Sequence, residues 1–360
     1  MAIRFRTLTN FLISIVLAGI LLYIAFRGTD FNALWEIIRN VKFWWVLTAF
    51  PLLILSHYVR AWRWQLLLVP VKNRVERGNA FSSLLIGYMT NNIVPRVGEI
   101  VRPYVLARLE NISKASTFGS VFIERVIDLL SLLFGMGLLF IFFQKTLTDQ
   151  FPWWGTFSIF VVIVTIVFII GISLLLYKRY LMLRIARIFL FPFSDRVKAR
   201  GEEIFHSFVD GMMIIRHRDN IRSIIVLTVV MWMLYILTAY LPLLAFDLGD
   251  TPINILTGFV LTMVTSLSVI IPTPGGTGSY HTFTVEMLTR LYGMQREVAL
   301  GYATLTHAVG YFSVIFVGLY YVISLKLKVK DFFQQVETDE QKAIDESAEP
   351  PLNPLKKEVL

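Results

Sequence analysis

The sequence predicts an all-α polytopic membrane protein: about six full transmembrane helices plus two broken re-entrant hairpins, ordered as an inverted-topology repeat. Three observations predict it. The 360 residues are 56% hydrophobic and only 16% charged, with a mean hydropathy of +0.65, whereas a soluble domain carries about 25% charge. Apolar stretches of the ~20 residues that cross a ~30 Å hydrocarbon core recur along the chain. Two further apolar stretches are broken by Pro and Gly, which is tolerated at membrane depth only where protein or a water-filled cavity covers the freed backbone. This composition excludes a soluble enzyme, a disordered chain and a free nucleic-acid binder. The 34 Lys and Arg exceed the 25 Asp and Glu, a net +9 that suits an anionic membrane face. With no cysteine, disulfides, Cys-ligated metal and thiol catalysis are excluded.

The first span is 8–26, preceded by Arg4 and Arg6. No small-x-small cleavage site follows it, so it reads as a retained helix with a cytoplasmic N-terminus. The second is 43–68, with Trp44 and Trp45 at one end and Trp62 and Trp64 near the other. Their spacing of ~30 Å reads as two aromatic belts. Arg60 and Arg63 read as snorkelling interfacial arginines at its cytoplasmic end. Residues 80–94 are too short and too broken to span, and fit a hairpin that enters and leaves on the cytoplasmic side. Span 117–143 follows, then an outer loop (147–154) without a basic residue, then span 155–177.

Residues 178–222 carry ten Lys and Arg. The positive-inside rule makes this stretch cytoplasmic, and its amphipathic spacing reads as a linker lying along the inner leaflet. Span 224–246 goes outward. Then come 253–271, the break 272–278, the short stretch 279–292 and the last span, 298–323. If 253–292 is a hairpin entering and leaving from outside, Lys326, Lys328 and Lys330 land inside, as the charge rule requires. Residues 43–143 and 224–323 then read alike, span, broken hairpin, span, with opposite orientation. Residues 1–330 form one integral membrane domain. The tail 331–360 holds eight acids and three lysines and reads as disordered and cytoplasmic.

Three constellations carry chemistry. The first surrounds the break at Pro95 and Gly98: Asn92, Arg96, Glu99 and Arg102. Arg96 and Arg102 are forked donors suited to a phosphate, and Glu99, three residues from each, could pair with either. The alternative is an interfacial loop whose arginines touch headgroups. The second is Glu124, Arg125 and Asp128 inside span 117–143. Each charge costs roughly 2.5–3.5 kcal/mol at mid-membrane, so the helix must pair them, wet them or turn them inward. They read either as a cavity-lining site or as an ion-pair clasp against Arg96 or Arg102. The third is the break at Pro272, Pro274, Gly275, Gly276 and Gly278, with His281, Glu286 and Arg290 on the return segment. Its backbone N–H groups could meet an anion, and tight packing of two half-helices explains it equally well. His307, alone on an apolar face, is assigned no role. No metal set, cofactor fingerprint, nucleotide-binding loop or catalytic motif is present.

The strings N-x-x-P-R-x-G-E-x-x-R (Asn92 to Arg102), E-R-x-x-D (Glu124 to Asp128) and P-x-P-G-G-x-G (Pro272 to Gly278) together resemble the flippase-like membrane domain of lysylphosphatidylglycerol synthases. The resemblance covers roughly residues 5–325. It implies movement of a phospholipid or a polyprenyl-linked lipid between leaflets of the plasma membrane, with both termini cytoplasmic. It lends headgroup-binding roles to Asn92, Arg96, Glu99, Arg102, Glu124, Arg125 and Asp128. The implied partners are anionic or polyprenyl-phosphate lipids, and no nucleic acid. A homodimer and a separate lipid-modifying enzyme are consistent with it. The soluble synthase domain of the transferase members has no counterpart here, so aminoacyl transfer is not implied. His281 stands where an acid is common, and Pro103 is expected to shorten the first hairpin's second helix. A membrane transferase acting on a lipid-linked donor and a structural subunit are the rival readings.

Overall fold

The computed structural model describes residues 2–177, 202, 206–207, 218–249, 251–268 and 270–327. Most of the basic linker 178–222 and the tail 331–360, with Lys328 and Lys330, lie outside the described residues. Among the described residues the chain is helical and holds no strand.

The first helix, α1 (Ala2–Phe26), turns through 88° into the short α2 (Phe31–Asn40). Asp30 caps α2, its carboxylate accepting from the N–H groups of Asn32 (2.8 Å) and Ala33 (3.2 Å). Helices α3 (Phe43–Leu47) and α4 (Ala49–Leu67) together make one apolar stretch long enough to span. The first hairpin is α5 (Arg77–Ile93) and α6 (Gly98–Glu110). Pro103 does not shorten α6, which runs on to a left-handed cap at Asn111 (φ 52°). Six residues into the helix, its ring costs one interior N–H bond, and the packed hairpin tolerates that.

Then come α7 (Lys114–Gln150), longer than the expected span and leaving a loop of only three residues, and α8 (Trp154–Tyr177). The second set is α9 (Arg218–Tyr240), a 3-10 turn (Leu241–Ala245), α10 (Ile255–Ser268), the break, α11 (Ser279–Tyr292) and α12 (Arg296–Ser324). Four stretches pass for full spans by length and composition: Phe43–Leu67, Lys114–Gln150, Asn220–Ala245 and Arg296–Ser324. The bent pair α1–α2 makes a fifth if counted as one. In α8 the stretch Trp154–Val167 is apolar but shorter.

Helices α4 and α9 pack antiparallel: Arg63 meets Thr228, Arg60 meets Tyr235, and Lys42 N–H reaches Ala245 O at 3.0 Å. The first hairpin follows the C-terminal end of α4 and the second follows that of α9, so their bases lie at opposite ends of the molecule. Their tips meet between those ends. Arg96 of the first tip donates to Ile270 O of the second (3.2 Å), and beside them Asn92 is tied to α12, its Nδ2 donating to Tyr311 O (3.2 Å) and its carbonyl accepting from the Tyr311 hydroxyl (3.0 Å).

Glycines let the tips form. Gly98 packs so tightly on the Gly87 carbonyl that no side chain fits there, and Gly98 N–H is taken by Asn91 Oδ1 at 2.7 Å. Gly275 (φ 56°) lies against the Tyr311 ring, where a Cβ would come within 2.6 Å. Non-glycine Arg96 sits at φ 68°, a conformation usually left to glycine. The glycine-rich break therefore serves close packing, one of its two expected readings.

Candidate functional site

The motif E-R-x-x-D places Glu124 and Asp128 one turn apart on α7, so one face of that helix presents two carboxylates to α4 and α6. Arg60 binds both: Nε donates to Glu124 Oε1 at 2.7 Å and Nη2 binds Asp128. Arg63 Nη2 also binds Asp128, and Nη1 donates to Thr228 Oγ1 at 3.1 Å. Arg102 closes on Glu124 from α6, with Nη2 at 2.9 Å from Oε2, and its guanidinium lies over the Trp64 ring at 4.7 Å. Trp64 is anchored by Nε1 donating to Ser120 Oγ at 3.0 Å. Tyr235 completes the Arg60 shell, accepting from Nη1 at 3.2 Å, and the Tyr88 ring lies 5.9 Å from that guanidinium.

Burial grades across the cluster. Glu124 and Arg63 are fully buried and Arg102 is 1% exposed, whereas the side chain of Asp128 is 17% exposed and that of Arg125 40%. Arg125 points to the open end and pairs with Glu99 at 3.0 Å. Four arginines thus face three carboxylates, one positive charge in excess. The Nε atoms of Arg63, Arg102 and Arg125 are buried without a hydrogen-bond partner among the described residues. Charged groups taken out of water this far persist only when paired, which explains why the two carboxylates are shared between several guanidinium groups.

Several sequence expectations change here. Arg60 and Arg63 do not snorkel: they are 6% and 0% exposed and form the centre of the cluster. Trp64 is buried under Arg102 and belongs to no interfacial belt, while Trp44 (83% exposed) stays outside. Glu99 pairs with neither Arg96 nor Arg102 but with Arg125. Of the two arginines considered for a clasp, Arg102 reaches Glu124 and Arg96 goes to the hairpin tip. The third constellation is not part of this cluster. Glu286 and Arg290 form an i,i+4 pair at 2.6 Å, next to Arg296, near the end of the second hairpin. His281 lies deeper, its ring 4.8 Å from that of His307, so His307 is not alone.

At the base of the first hairpin, outside the spans, Glu110 binds Lys72 Nζ (2.6 Å), Asn79 Nδ2 (2.7 Å) and the Glu76 N–H (2.9 Å). Burial pushes its carboxyl up, but the hydrogen bonds from Lys72, Asn79 and Glu76 and the Lys72 charge outweigh it. The group is held below the usual carboxylate range.

The family model for the lysylphosphatidylglycerol synthase TM region matches residues 11–318. Two UPF0104 membrane proteins of Methanocaldococcus jannaschii are similar to the chain. One is 32% identical over 131 residues, 36% of this chain and 38% of its own length. The other is 26% identical over 243 residues, 65% of this chain and 93% of its own. A UPF0104 membrane protein of Methanothermobacter thermautotrophicus is 25% identical over 228 residues, 60% and 67% of the two lengths.

Proposed function

The chain belongs to the family of the lysylphosphatidylglycerol synthase TM region, and from that membership we propose that it is a lipid translocase of the plasma membrane. It moves a phospholipid or a polyprenyl-linked lipid between leaflets while the hydrocarbon chains stay in the bilayer. The observation that carries this reading is the buried cluster with one arginine more than it has carboxylates, open at Arg125 and Glu99. That excess favours an anionic headgroup, and the planar fork of Arg125 suits a phosphate. The headgroup displaces Glu99 from Arg125. Arg60, Arg63 and Arg102, each held by a carboxylate, then shape the field around it without binding it directly. Arg96 acts at the latch between the hairpin tips and Asn92 at its tie to α12, both of which have to open as access alternates. No covalent step is part of this reading: Glu124 and Asp128 are committed to arginines, which leaves neither free as a general base.

Purified protein in liposomes, assayed for scrambling of a fluorescent phospholipid, tests it. Arg125→Ala should slow scrambling at least tenfold, and Glu99→Gln, which frees Arg125, should raise apparent headgroup affinity. Scrambling by Arg125→Ala at the wild-type rate would overturn the assignment. Formation of a covalent lipid product from labelled donors would favour a transferase instead.

A further inference from the structure

A cleft of about 510 Å³ lies between α1, the tip of the second hairpin and α12, away from the charged cluster. Its volume is within the range of small-molecule sites. Aromatic and aliphatic side chains, among them Phe26 and Tyr311, make most of its wall. Four polar residues interrupt them: Thr277, His281, Thr304 and His307. His281 is 4% exposed. Its Nδ1 accepts the Gly278 N–H at 3.4 Å, which places the proton on Nε2. His307 Nε2 is 3.3 Å from Thr277 Oγ1. The Thr304 hydroxyl is buried without a partner. The cleft therefore offers hydrogen-bond donors inside an apolar wall, and no lysine, arginine or carboxylate lines it.

These features define a ligand. A buried donor without a partner, as at Thr304, costs free energy until an acceptor arrives. A phosphate would bring a charge with nothing to neutralise it, at a desolvation cost that the lining does not offset. Depth narrows the choice further. His307 is eleven residues along α12 from Arg296, roughly 16 Å at 1.5 Å per residue, a distance comparable with half of a ~30 Å hydrocarbon core. The ester carbonyls of a phospholipid are tethered at the interface by their headgroup and do not sink that far. An uncharged glycerolipid has no such tether. The cleft opens beside the exposed aromatic side chains of Tyr23 (67%) and Phe312 (52%), apolar surface suited to the entry of a lipid.

We propose that this cleft is a binding site for a neutral glycerolipid of the diacylglycerol type, its ester carbonyl or free hydroxyl held by His281 Nε2 and Thr304 and its chain lying along the aromatic wall. The site is separate from the headgroup site at Arg125, and a failure of either leaves the other standing. The test uses the full-length protein in lipid nanodiscs with two photoreactive probes, a diazirine-bearing diacylglycerol and a phosphatidylglycerol with the same chain. Cross-links are mapped by mass spectrometry. The diacylglycerol probe should label the α11 and α12 peptides that carry His281 and Tyr311. A tenfold excess of unlabelled phosphatidylglycerol should leave that labelling unchanged. Ala308→Trp, which fills the cleft, should reduce it at least tenfold. His281→Phe, which keeps the bulk and removes the donor, should reduce it about threefold. Equal labelling by the two probes on the wild-type protein, or undiminished labelling in a folded Ala308→Trp variant, would overturn the proposal.

Discussion

Glu124 is fully buried and touched by Arg60, Arg63 and Arg102. Replacing it with Gln removes the charge that holds three guanidinium groups together and leaves Arg60 and Arg63 with Asp128 alone and Arg102 without its carboxylate. Breaking a buried pair in this way costs about 3–5 kcal/mol, so Glu124→Gln should lower the thermal unfolding midpoint in detergent more than any exposed substitution, such as Arg290→Gln. Glu110 gives a pH signature. Its carboxyl is depressed on folding, so its stabilising contribution is present above the unfolded value of about 4.5 and is lost as pH falls through the folded value. Glu110→Gln should be less stable at neutral pH and show a flatter decline on acidification, as read by melting between pH 7 and the acid limb. At this scale the acids and Arg102 were legible in the sequence, and Arg60 and Arg63 were not. Glu124 and Asp128 stand out because mid-span charges are costly anywhere in a membrane. Arg60 and Arg63 lie near the end of their span, where one-dimensional pattern cannot tell a snorkelling arginine from a buried one. A signal was available: two acids one turn apart call for more positive charge than Arg102 alone supplies, and Arg60 and Arg63, i,i+3 on α4, form a matching pair.

Among the elements, the hairpins follow from composition and their packing follows from glycine. Pro and Gly marked both breaks in the sequence, and both are present. What the sequence did not reveal is that Gly87 and Gly98 face each other, because contact between two helices depends on rotation about their axes as well as on spacing. Gly98→Leu should push α5 and α6 apart, shift Arg102 from Glu124 and destabilise the fold by at least the ~1–3 kcal/mol typical of overpacking. Gly137, where an added Cβ meets nothing within 4 Å, should accept Leu with little change. Comparing the melting midpoints of the two variants checks this. Pro103 carries a similar lesson: a mid-helix proline forfeits one N–H bond, and a helix packed on both sides can bear that loss.

For the whole molecule, the charge pattern predicts an orientation that the absence of cysteine makes easy to test. Single cysteines at Arg74 and Asp247 should label from opposite faces with a membrane-impermeant maleimide in intact cells. Asp247→Cys should react directly and Arg74→Cys only after permeabilisation. Labelling of both from outside would contradict the antiparallel placement of α4 and α9 relative to the bilayer. The order of spans and hairpins was readable from hydropathy and Pro/Gly breaks. The meeting of the hairpin tips with each other and with α12 was not, because it is made through main-chain oxygens of Ile270, Tyr311 and Asn92, and a backbone acceptor leaves no trace in residue identity.

The shared carboxylates of α7 also impose a schedule on synthesis. Arg60 and its partner Glu124 are 64 residues apart, and at roughly 5–20 residues per second a ribosome needs some 3–13 seconds to cover that interval. During that time α4, the least apolar of the four full spans, carries two arginines with no acid to meet them. It must be held beside the insertion machinery, or sit shallow, until α7 emerges. Assembly of this membrane protein therefore has a defined event, the arrival of Glu124 and Asp128, before which the arginines of α4 lack their carboxylates.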